Sequence, residues 1–369
     1  MQKPEIKFLE LAQFWTQHWA DIQKDLASFV TDGYYIGGNR VSTFEKKFAH
    51  DTGAEFGIGV GNGLDALKIA LRCLNLPVGA NVIVPTNTFV ATWFAVTDLG
   101  LNIVPVEPNW DTHVLDVPAL SPHINQDIAA VVLVTLYGNS PDISAIENLC
   151  EKYGVRLVID AAQSHGTVVN ERKLGTFADF VCYSFYPGKT LGALGDAGII
   201  TTNKHAYYSK ADKLRNYGSS EKYKHDFVGY NSRLDPIQAV MLSRKLHHLD
   251  TEIEIRRKQV DLYNQLIQCE QVELVQVDKN VEPSWHLAVG RFKKRDALQV
   301  YLANNGIETL IHYPTPCHLQ RCYSDQFTNI TLSKTEKNSA ELLSLPLGSH
   351  LFKEDIITVS SKIIEFYAE

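Results

Sequence analysis

One lysine stands in a segment where a charged side chain is uncommon. Lys189 follows a β-branched and aromatic run that favours a buried strand, and it precedes a segment of glycines and small apolar residues. Removal from water disfavours the charged form of an amine, and a neutral amine can attack a carbonyl carbon. Schiff-base chemistry requires such an amine. The alternative is an ordinary loop lysine whose ammonium stays in solvent.

A second polar cluster directly follows the apolar run at residues 155–159. Asp160 and Gln163 come after that run, and Ser184 ends the strand-like run before Lys189. In an open α/β sheet, groups past the carboxyl ends of the strands face the ligand crevice, so these side chains could share one site. A carboxylate for a pyridinium nitrogen and a lysine for a Schiff base are what a pyridoxal phosphate (PLP) enzyme requires. Asp160 could instead cap a helix.

Five sequence motifs, taken in order, point to one family. The sequence resembles the DegT family of nucleotide-sugar aminotransferases, which are PLP enzymes of the aspartate-aminotransferase fold type. The matching segments are GVGNGLDAL at 59–67, VPTNTFVAT at 84–92, DAAQSH at 160–165, SFYPGK at 184–189 and GYNSR at 229–233. They span most of residues 30–245, and five ordered motifs are far more specific than any one of them.

The order of the elements predicts an α/β protein. Apolar strand-like runs alternate with helical stretches, which indicates a mainly parallel sheet. The resemblance implies a three-layer PLP-binding domain of the type I aminotransferase fold, which we place at residues 1–245 with its N-terminal helix. A linking helix and a smaller C-terminal α+β domain would occupy residues 246–369.

Periodicity and proline placement give bounds for some elements. Apolar residues at helical spacing predict a docking helix within residues 8–30. A long helix is expected to begin at Asp235–Pro236 and to run to about residue 268. In the C-terminal domain we expect a strand over residues 285–289 and a helix over residues 297–304.

The resemblance also implies how the cofactor is held. PLP would form a Schiff base with Lys189, and Asp160 would keep the ring nitrogen protonated. Gln163 would form a hydrogen bond with the ring hydroxyl. Phe89 would stack on the ring, a sensible contact for a flat cofactor, although it could simply be a core residue.

A phosphate site and a partner complete the cofactor prediction. A Gly-rich turn before a helix presents free N–H groups that suit a phosphate, although a plain tight turn has the same composition. The expected phosphate contacts are Gly61, Asn62, Gly63, Ser184 and Asn231. The resemblance places Asn231 at the phosphate of a neighbouring subunit, so we expect a homodimer whose active sites are shared across the interface.

The candidate substrate-binding residues are mostly aromatic. They are Tyr35, Arg40, Tyr183, Tyr186, Tyr217, Tyr223, His312 and Tyr313. The segment around Tyr35 could be a simple Gly-rich turn, and His312 and Tyr313 could simply end a strand before a Pro-rich turn. The family resemblance favours a substrate role for both segments.

The expected reaction is transfer of an amino group from L-glutamate to a keto-sugar nucleotide, with 2-oxoglutarate as the second product. The SFYPGK segment at 184–189 and the HYP segment at 312–314 are most similar to those of members that aminate C3 of a dTDP-3-keto-6-deoxyhexose. The amino sugar would be used for surface polysaccharides such as lipopolysaccharide O-antigen or for other glycoconjugates. Amination at C4 of a dTDP- or UDP-linked sugar stays open, as do a PLP lyase and a non-catalytic sensor. A dehydratase is disfavoured, because that branch replaces the lysine with histidine.

Composition excludes several other classes. A net charge of −7 and a pI near 6.0 argue against a nucleic-acid partner, since phosphate backbones are bound by clustered Lys and Arg. No apolar run approaches the length of a membrane span, and residues 1–7 lack the apolar core of a signal peptide, so we expect a cytoplasmic protein. Adjacent His247 and His248 would point about 100° apart on a helix, and no metal is expected.

Overall fold

A seven-stranded sheet lies at the centre of the computed structural model, which describes residues 5–368. The strands of the chain are β1 Phe56–Val60, β2 Asn81–Pro85, β3 Asn102–Val106, β4 Ile128–Val134, β5 Arg156–Asp160, β6 Val168–Val169, β7 Arg172–Lys173, β8 Phe180–Ser184, β9 Gly198–Thr202, β10 Ser219–Glu221, β11 Lys224–His225, β12 Val272–Leu274, β13 Val281–Glu282, β14 Ala288–Phe292 and β15 Leu342–Leu345. The expected absence of a signal peptide concerns residues that lie partly outside the described range.

The described residues also form thirteen α-helices. They are α1 Ala12–Gln17, α2 Trp19–Asp32, α3 Asn39–Thr52, α4 Gly63–Cys73, α5 Ala91–Thr97, α6 Val117–Leu120, α7 Ile143–Tyr153, α8 His205–Arg215, α9 Pro236–Leu246, α10 Leu249–Leu266, α11 Arg295–Asn304, α12 Ser333–Glu341 and α13 Lys353–Ala368. Single turns of 3-10 helix occur at Leu136–Gly138, Leu174–Thr176 and Cys317–Leu319.

The central sheet has the strand order β1-β9-β8-β5-β4-β2-β3. All neighbouring strands run parallel except that β9 is antiparallel to both β8 and β1. The prediction of a mainly parallel sheet is therefore confirmed. Because β1, β2, β4, β5 and β8 point the same way, their carboxyl ends meet at one edge of the sheet.

Two apolar cores cover the two faces of this sheet. Alternate residues of each strand point to opposite faces, so Ile159 and Val181 join one core while Val158 and Cys182 join the other. Helices α3, α7 and α9 cover the first face, and α4, α5 and α8 cover the second. This gives the expected three layers, helix on sheet on helix.

The C-terminal part of the chain has its own core. Strands β12, β14 and β15 form an antiparallel sheet, and α10, α11 and α13 pack against it. This matches the predicted α+β character. Residues 5–8 also pack there, since Ile6 pairs with Ile307 at the edge. The division of the chain between residues 245 and 246 stays a proposal.

Three predicted elements need correction. The long helix expected from Asp235–Pro236 to about residue 268 is broken at His247–His248 into α9 and α10. The break lets α9 pack on α2 and α3 while α10 packs on α13, and the His248 ring contacts His18 with ring centres 4.5 Å apart. The expected N-terminal helix is likewise two helices that meet at His18.

The third correction concerns the strand predicted over residues 285–289. Strand β14 instead begins at Ala288, because Trp285 adopts φ of 46°, outside the strand region of backbone space. Within residues 5–368, no helix is both long and apolar enough to cross a bilayer, and no three metal-ligating side chains come together.

Candidate active site

A cavity of about 800 Å³ opens at the carboxyl ends of the parallel strands. One wall is formed by the ends of β4, β5 and β8 and by the first turns of α4 and α5. The opposite wall is formed by His286, Leu287 and residues 308–313, with Phe8 and Leu9 at one side. Most of the exposed lining surface is apolar, and polar and charged side chains are set into it, as is typical of a small-molecule or cofactor site.

Lys189 lines this cavity from the turn that follows β8. The turn is closed by a hydrogen bond from the Lys189 backbone N–H to the Tyr186 carbonyl oxygen, 2.8 Å long. Burial lowers the pKa of the Lys189 amine to about 8, and the Asp160 carboxylate only partly opposes this shift. Among the described residues none forms an ion pair with the ammonium. The amine is therefore partly neutral at physiological pH.

Asp160 is the last residue of β5 and its carboxylate lies almost fully buried on the cavity wall. The Thr92 hydroxyl donates a hydrogen bond to Oδ2 at 2.8 Å, and the Ala162 N–H donates to Oδ1 at 3.1 Å. Burial raises the pKa of this carboxyl group, although both hydrogen bonds oppose the shift. No helix begins after Asp160, so the helix-capping alternative is wrong.

Gln163 is held from both ends of its amide. Its Oε1 accepts a hydrogen bond from the Tyr137 backbone N–H at 2.6 Å, and its Nε2 donates to the Tyr313 hydroxyl at 3.0 Å. One N–H of the amide is left for another acceptor. Gln163 thus connects the end of the central sheet to the C-terminal part of the chain.

The Gly-rich turn between β1 and α4 meets Ser184 at the cavity. A Cβ atom on Gly63 would lie 2.7 Å from the Ser184 Cβ, so only glycine allows the two segments to approach this closely. The Asn62 side chain caps α4 by accepting a hydrogen bond from the Asp65 N–H at 2.8 Å. Asn62, Gly63 and Ser184 all line the cavity, at the positive end of the α4 dipole.

Two of the predicted phosphate contacts lie outside the cavity. The Gly61 N–H donates to the Ser232 hydroxyl at 3.0 Å, so it is not free for a phosphate, and this assignment needs correction. Asn231 is exposed and pairs through its backbone with Asn216. Within one chain Asn231 does not reach the lining, which leaves its expected role across an interface untested.

Four of the predicted aromatic and imidazole side chains lie on the cavity wall: Phe89, Tyr186, His312 and Tyr313. Phe89 is 54% exposed, so it is not a core residue, and its ring centre lies 5.5 Å from that of Tyr313. The His312 Nδ1 lies 2.9 Å from the Ser344 hydroxyl, and burial together with the Lys189 charge lowers the pKa of the imidazole to about 4. His312 is therefore neutral at physiological pH.

Tyr183 does not contact the cavity, and its assignment to the substrate is wrong for this chain. The side chain is fully buried in the core on the sheet face covered by α3, α7 and α9. Its ring centre lies 5.0 Å from that of Phe48 and 5.6 Å from that of His165. The reason is the two-residue period of a strand: Ser184 points toward α4 and the cavity, so Tyr183 must point to the other face.

The remaining predicted substrate residues lie away from the lining. Arg40 forms an ion pair with Asp32 at 2.5 Å, and the Tyr35 hydroxyl donates to the Val30 carbonyl oxygen at 3.2 Å. Tyr217 and Tyr223 are exposed around the β10–β11 hairpin. One chain alone does not bring these four side chains to the cavity.

Sequence reasoning gave no role to several residues that shape the site. Thr92 holds Asp160, and Tyr137 holds Gln163. Arg256 lines the cavity while donating to the carbonyl oxygen of His286, 3.0 Å away. Thr92 lies in the VPTNTFVAT motif at 84–92, but Tyr137 and Arg256 carry no local signal because their partners are distant in sequence.

Known proteins resemble the chain over nearly its full length. The model of the DegT/DnrJ/EryC1/StrS aminotransferase family matches residues 17–364. The chain is 40% identical to the dTDP-3-amino-3,6-dideoxy-alpha-D-galactopyranose transaminase of Aneurinibacillus thermoaerophilus, covering 95% of this chain and 96% of the relative. It is 35% identical to the dTDP-3-amino-3,4,6-trideoxy-alpha-D-glucose transaminase of Streptomyces venezuelae, covering 99% and 97%.

A solved structure also matches throughout. The S. venezuelae protein DesV, crystallised in complex with a ketimine intermediate, superimposes with a TM-score of 0.97 at 35% identity, covering all of both chains. The predicted family resemblance and the predicted fold class are thereby confirmed.

Proposed function

Because the chain belongs to the DegT/DnrJ/EryC1/StrS aminotransferase family, we propose that it transfers an amino group from L-glutamate to C3 of a dTDP-linked 3-keto-6-deoxyhexose. The products would be 2-oxoglutarate and a dTDP-3-amino-3,6-dideoxyhexose. The observation that carries the proposal is the placement of the Lys189 amine and the buried Asp160 carboxylate on the wall of one cavity. The choice of dTDP and C3 is supported by two relatives, both transaminases of dTDP-3-amino sugars.

The residues on the cavity wall fit PLP. Burial raises the pKa of the Asp160 carboxyl group. A protonated pyridine nitrogen against this group would stabilise its charged form. The close approach of Gly63 to Ser184 places the Ser184 side chain beside the N-terminus of α4, where backbone N–H groups suit a phosphate. Lys189 would hold PLP as a Schiff base, with Phe89 against the ring and Gln163 at its hydroxyl. When bound, PLP supplies the electron sink for transamination.

Lys189 would act as the proton carrier of the reaction. Its amine has a pKa of about 8, so it can both accept and return a proton near neutral pH. With PLP and glutamate bound, the Lys189 amine would be the group that accepts and returns the proton of the amino-acid α-carbon. Asp160, fixed by Thr92 and the Ala162 N–H, would keep the ring nitrogen protonated throughout.

Two further parts of the proposal concern the partner and the setting. Asn231, Tyr217 and Tyr223 lie on exposed segments, as expected if a second copy of the chain receives them. We therefore propose a cytoplasmic homodimer whose sites are completed across the interface. The amino sugar would enter surface polysaccharide or another glycoconjugate.

The donor half of the reaction is tested by absorption spectroscopy. Purified holoenzyme should show the visible band of lysine-bound PLP, and L-glutamate should convert it to the pyridoxamine form with release of 2-oxoglutarate. L-Aspartate and L-glutamine serve as comparison donors. A band that persists with glutamate but bleaches with another donor would replace glutamate in the proposal.

The acceptor half is tested with the pyridoxamine form of the enzyme. dTDP-3-keto-6-deoxyhexose and dTDP-4-keto-6-deoxyhexose should be offered separately, and the position of the new amine should be read by NMR. Return of the visible band with the 3-keto sugar supports C3 amination. Preference for the 4-keto sugar would make the chain a C4 aminotransferase, which would need the same cofactor residues.

A further inference from the structure

A buried tyrosine that takes no part in the proposed chemistry connects the two walls of the cavity. Tyr137 lies in the tight turn Leu136–Gly138 after β4, fully buried, with a non-helical backbone φ of 62°. A bulky residue rarely adopts positive φ, and such residues concentrate at functional sites. Its conformation sends the backbone N–H toward Gln163 and the side chain toward His312.

The contacts of Tyr137 form a closed loop. The Tyr137 N–H donates to Gln163 Oε1 at 2.6 Å, and Gln163 Nε2 donates to the Tyr313 hydroxyl at 3.0 Å. Tyr313 is covalently joined to His312, whose carbonyl oxygen accepts a hydrogen bond from the Tyr137 hydroxyl at 2.6 Å. The loop thus ties the end of the central sheet to the C-terminal wall of the cavity.

The same loop decides which way the Gln163 amide faces. A backbone N–H can only donate, so the amide oxygen must point at Tyr137 and the NH₂ group must point away from it. One of its hydrogens goes to Tyr313, which leaves the other as a donor. Gln163 therefore offers a donor, and not an acceptor, toward the cavity.

We propose that Tyr137 is a positioning residue: it holds Tyr313 through Gln163 and His312 through its own hydroxyl, and so keeps the His312–Tyr313 pair in register for binding the sugar nucleotide. This inference rests on the proposed function. It predicts that the Tyr137 hydroxyl matters for the acceptor sugar more than for the amino donor, because the hydroxyl contacts the His312 carbonyl while Gln163 keeps its bond to the Tyr137 backbone.

The test compares Tyr137→Phe with Tyr263→Phe in the holoenzyme. Tyr263 is an equally buried tyrosine whose hydroxyl donates to the Pro346 carbonyl oxygen at 3.0 Å, so its loss removes the same type of bond away from the loop. In Tyr137→Phe, kcat/KM for the keto sugar should fall about five- to tenfold, the effect of one buried hydrogen bond. The glutamate half-reaction rate should stay at the wild-type value, and Tyr263→Phe should change neither quantity.

Binding to an enzyme that cannot turn over provides a readout besides activity. Borohydride reduction fixes PLP on the lysine, and calorimetry with dTDP-glucose then measures affinity alone. The dissociation constant should rise about five- to tenfold in Tyr137→Phe and stay unchanged in Tyr263→Phe. Equal constants for the two variants would overturn the inference. A wild-type enzyme that neither binds nor aminates a sugar nucleotide would instead overturn the proposed function, and the inference with it.

A second variant tests the same loop at a different hydrogen bond, and stability measurements exclude a folding defect. Tyr313→Phe removes the bond from Gln163, and circular dichroism with thermal melting should show all variants folded. If both bonds serve the same loop, the double variant Tyr137→Phe/Tyr313→Phe should lose little more affinity than the single variant with the larger loss. Losses that multiply would mean two independent contacts and would contradict the positioning role.

Discussion

The two sets of predicted site residues differ in how much of the site one chain can build. Asp160, Gln163, Ser184 and Lys189 meet at one cavity although they lie on separate segments of the chain. The second set, Tyr35, Arg40, Tyr217, Tyr223 and Asn231, lies on exposed loops and helix ends outside the lining. The first set is attached to strand ends, whose positions are fixed by the pairing of the sheet.

This difference suggests a division of labour between fold and assembly. Strand ends at the carboxyl edge can hold a cofactor without help, because neighbouring strands lie within about 5 Å of one another. Exposed aromatic loops become part of a site only when another surface covers them. We call the first set the cofactor half of the site and the second set the outer half. Substitutions in the cofactor half should impair the site of the same chain, and substitutions in the outer half should impair the site of the neighbouring copy.

The largest expected effect is that of Lys189→Ala. Loss of the amine removes both the Schiff-base attachment and the proton carrier, so the glutamate half-reaction should slow by about 10³-fold or more. Stopped-flow absorption measures this rate. The variant should remain folded and bind PLP without a covalent bond.

Lys245→Met is the matched control for that loss. Burial lowers the pKa of the Lys245 amine to about 8 as well, but its Nζ lies 5.8 Å from the ring centres of Phe14 and Trp15, outside the cavity lining. This variant should keep the wild-type half-reaction. Substantial turnover by Lys189→Ala, or a comparable loss in Lys245→Met, would remove Lys189 from the chemistry.

Asp160→Asn should produce the next largest effect. Without the carboxylate the ring nitrogen loses its counterion, and the half-reaction should slow about 10²-fold or more. The apoprotein should be as stable as the wild type or more stable, because burial raises the pKa of this carboxyl and disfavours its charge. Thermal melting of the apoprotein and the half-reaction rate together check both expectations.

Asp142→Ala shows what a merely structural aspartate would do. Asp142 caps α7 by accepting a hydrogen bond from the Ala145 N–H at 3.3 Å, and it also accepts one from Asn170 Nδ2 at 2.9 Å, so its loss should cost about 1–3 kcal/mol of unfolding free energy. The half-reaction rate should not change. If Asp160→Asn behaved like Asp142→Ala, its role at the cofactor ring would be wrong.

Much of the cofactor half could be predicted because its signals are local. An apolar run followed by Asp160, or by Ser184 and a lysine turn, is readable without knowing the fold. The prediction for Tyr183 is wrong because a strand alternates its faces, so the residue next to Ser184 points away from the cavity. The break at His247–His248 was missed because it is set by packing against His18 and not by proline or glycine.

The unpredicted residues share a different physical cause. Thr92 bonds to a carboxylate 68 residues away, and the Tyr137 hydroxyl reaches a carbonyl 175 residues away. Nothing in the composition or spacing near either residue records such a partner. The Gly61 amide could not be excluded from the phosphate site either, since its acceptor Ser232 is 171 residues distant.

The pH dependence of PLP capture tests whether the Lys189 amine is desolvated at the carboxyl edge of the sheet. Attack requires the neutral amine, whose fraction rises about tenfold per pH unit below a pKa of about 8 and levels off above it. The rate at which apoprotein captures PLP should follow that profile, and Lys245→Met should leave it unchanged. A rate that keeps rising to the ordinary lysine pKa of 10.5 would mean that Lys189 is not desolvated.

The smallest expected effect belongs to Asn231 and tests the outer half. In Asn231→Ala the dissociation constant of PLP should rise about fivefold, as for the loss of one hydrogen bond to the phosphate. Asn264→Ala, which alters an exposed asparagine on α10, serves as the control and should leave the constant unchanged. Equilibrium dialysis of the purified variants measures both values.

Mixed dimers decide which chain supplies the Asn231 side chain. If Asn231 serves the neighbouring copy, a heterodimer of Lys189→Ala with Asn231→Ala contains one site with both native residues, and that site should bind PLP covalently at wild-type affinity. If Asn231 acts within its own chain, the only site that retains Lys189 also carries Ala at position 231, and wild-type affinity is absent. The second outcome would remove the difference between the two halves of the site, because one chain would then complete both.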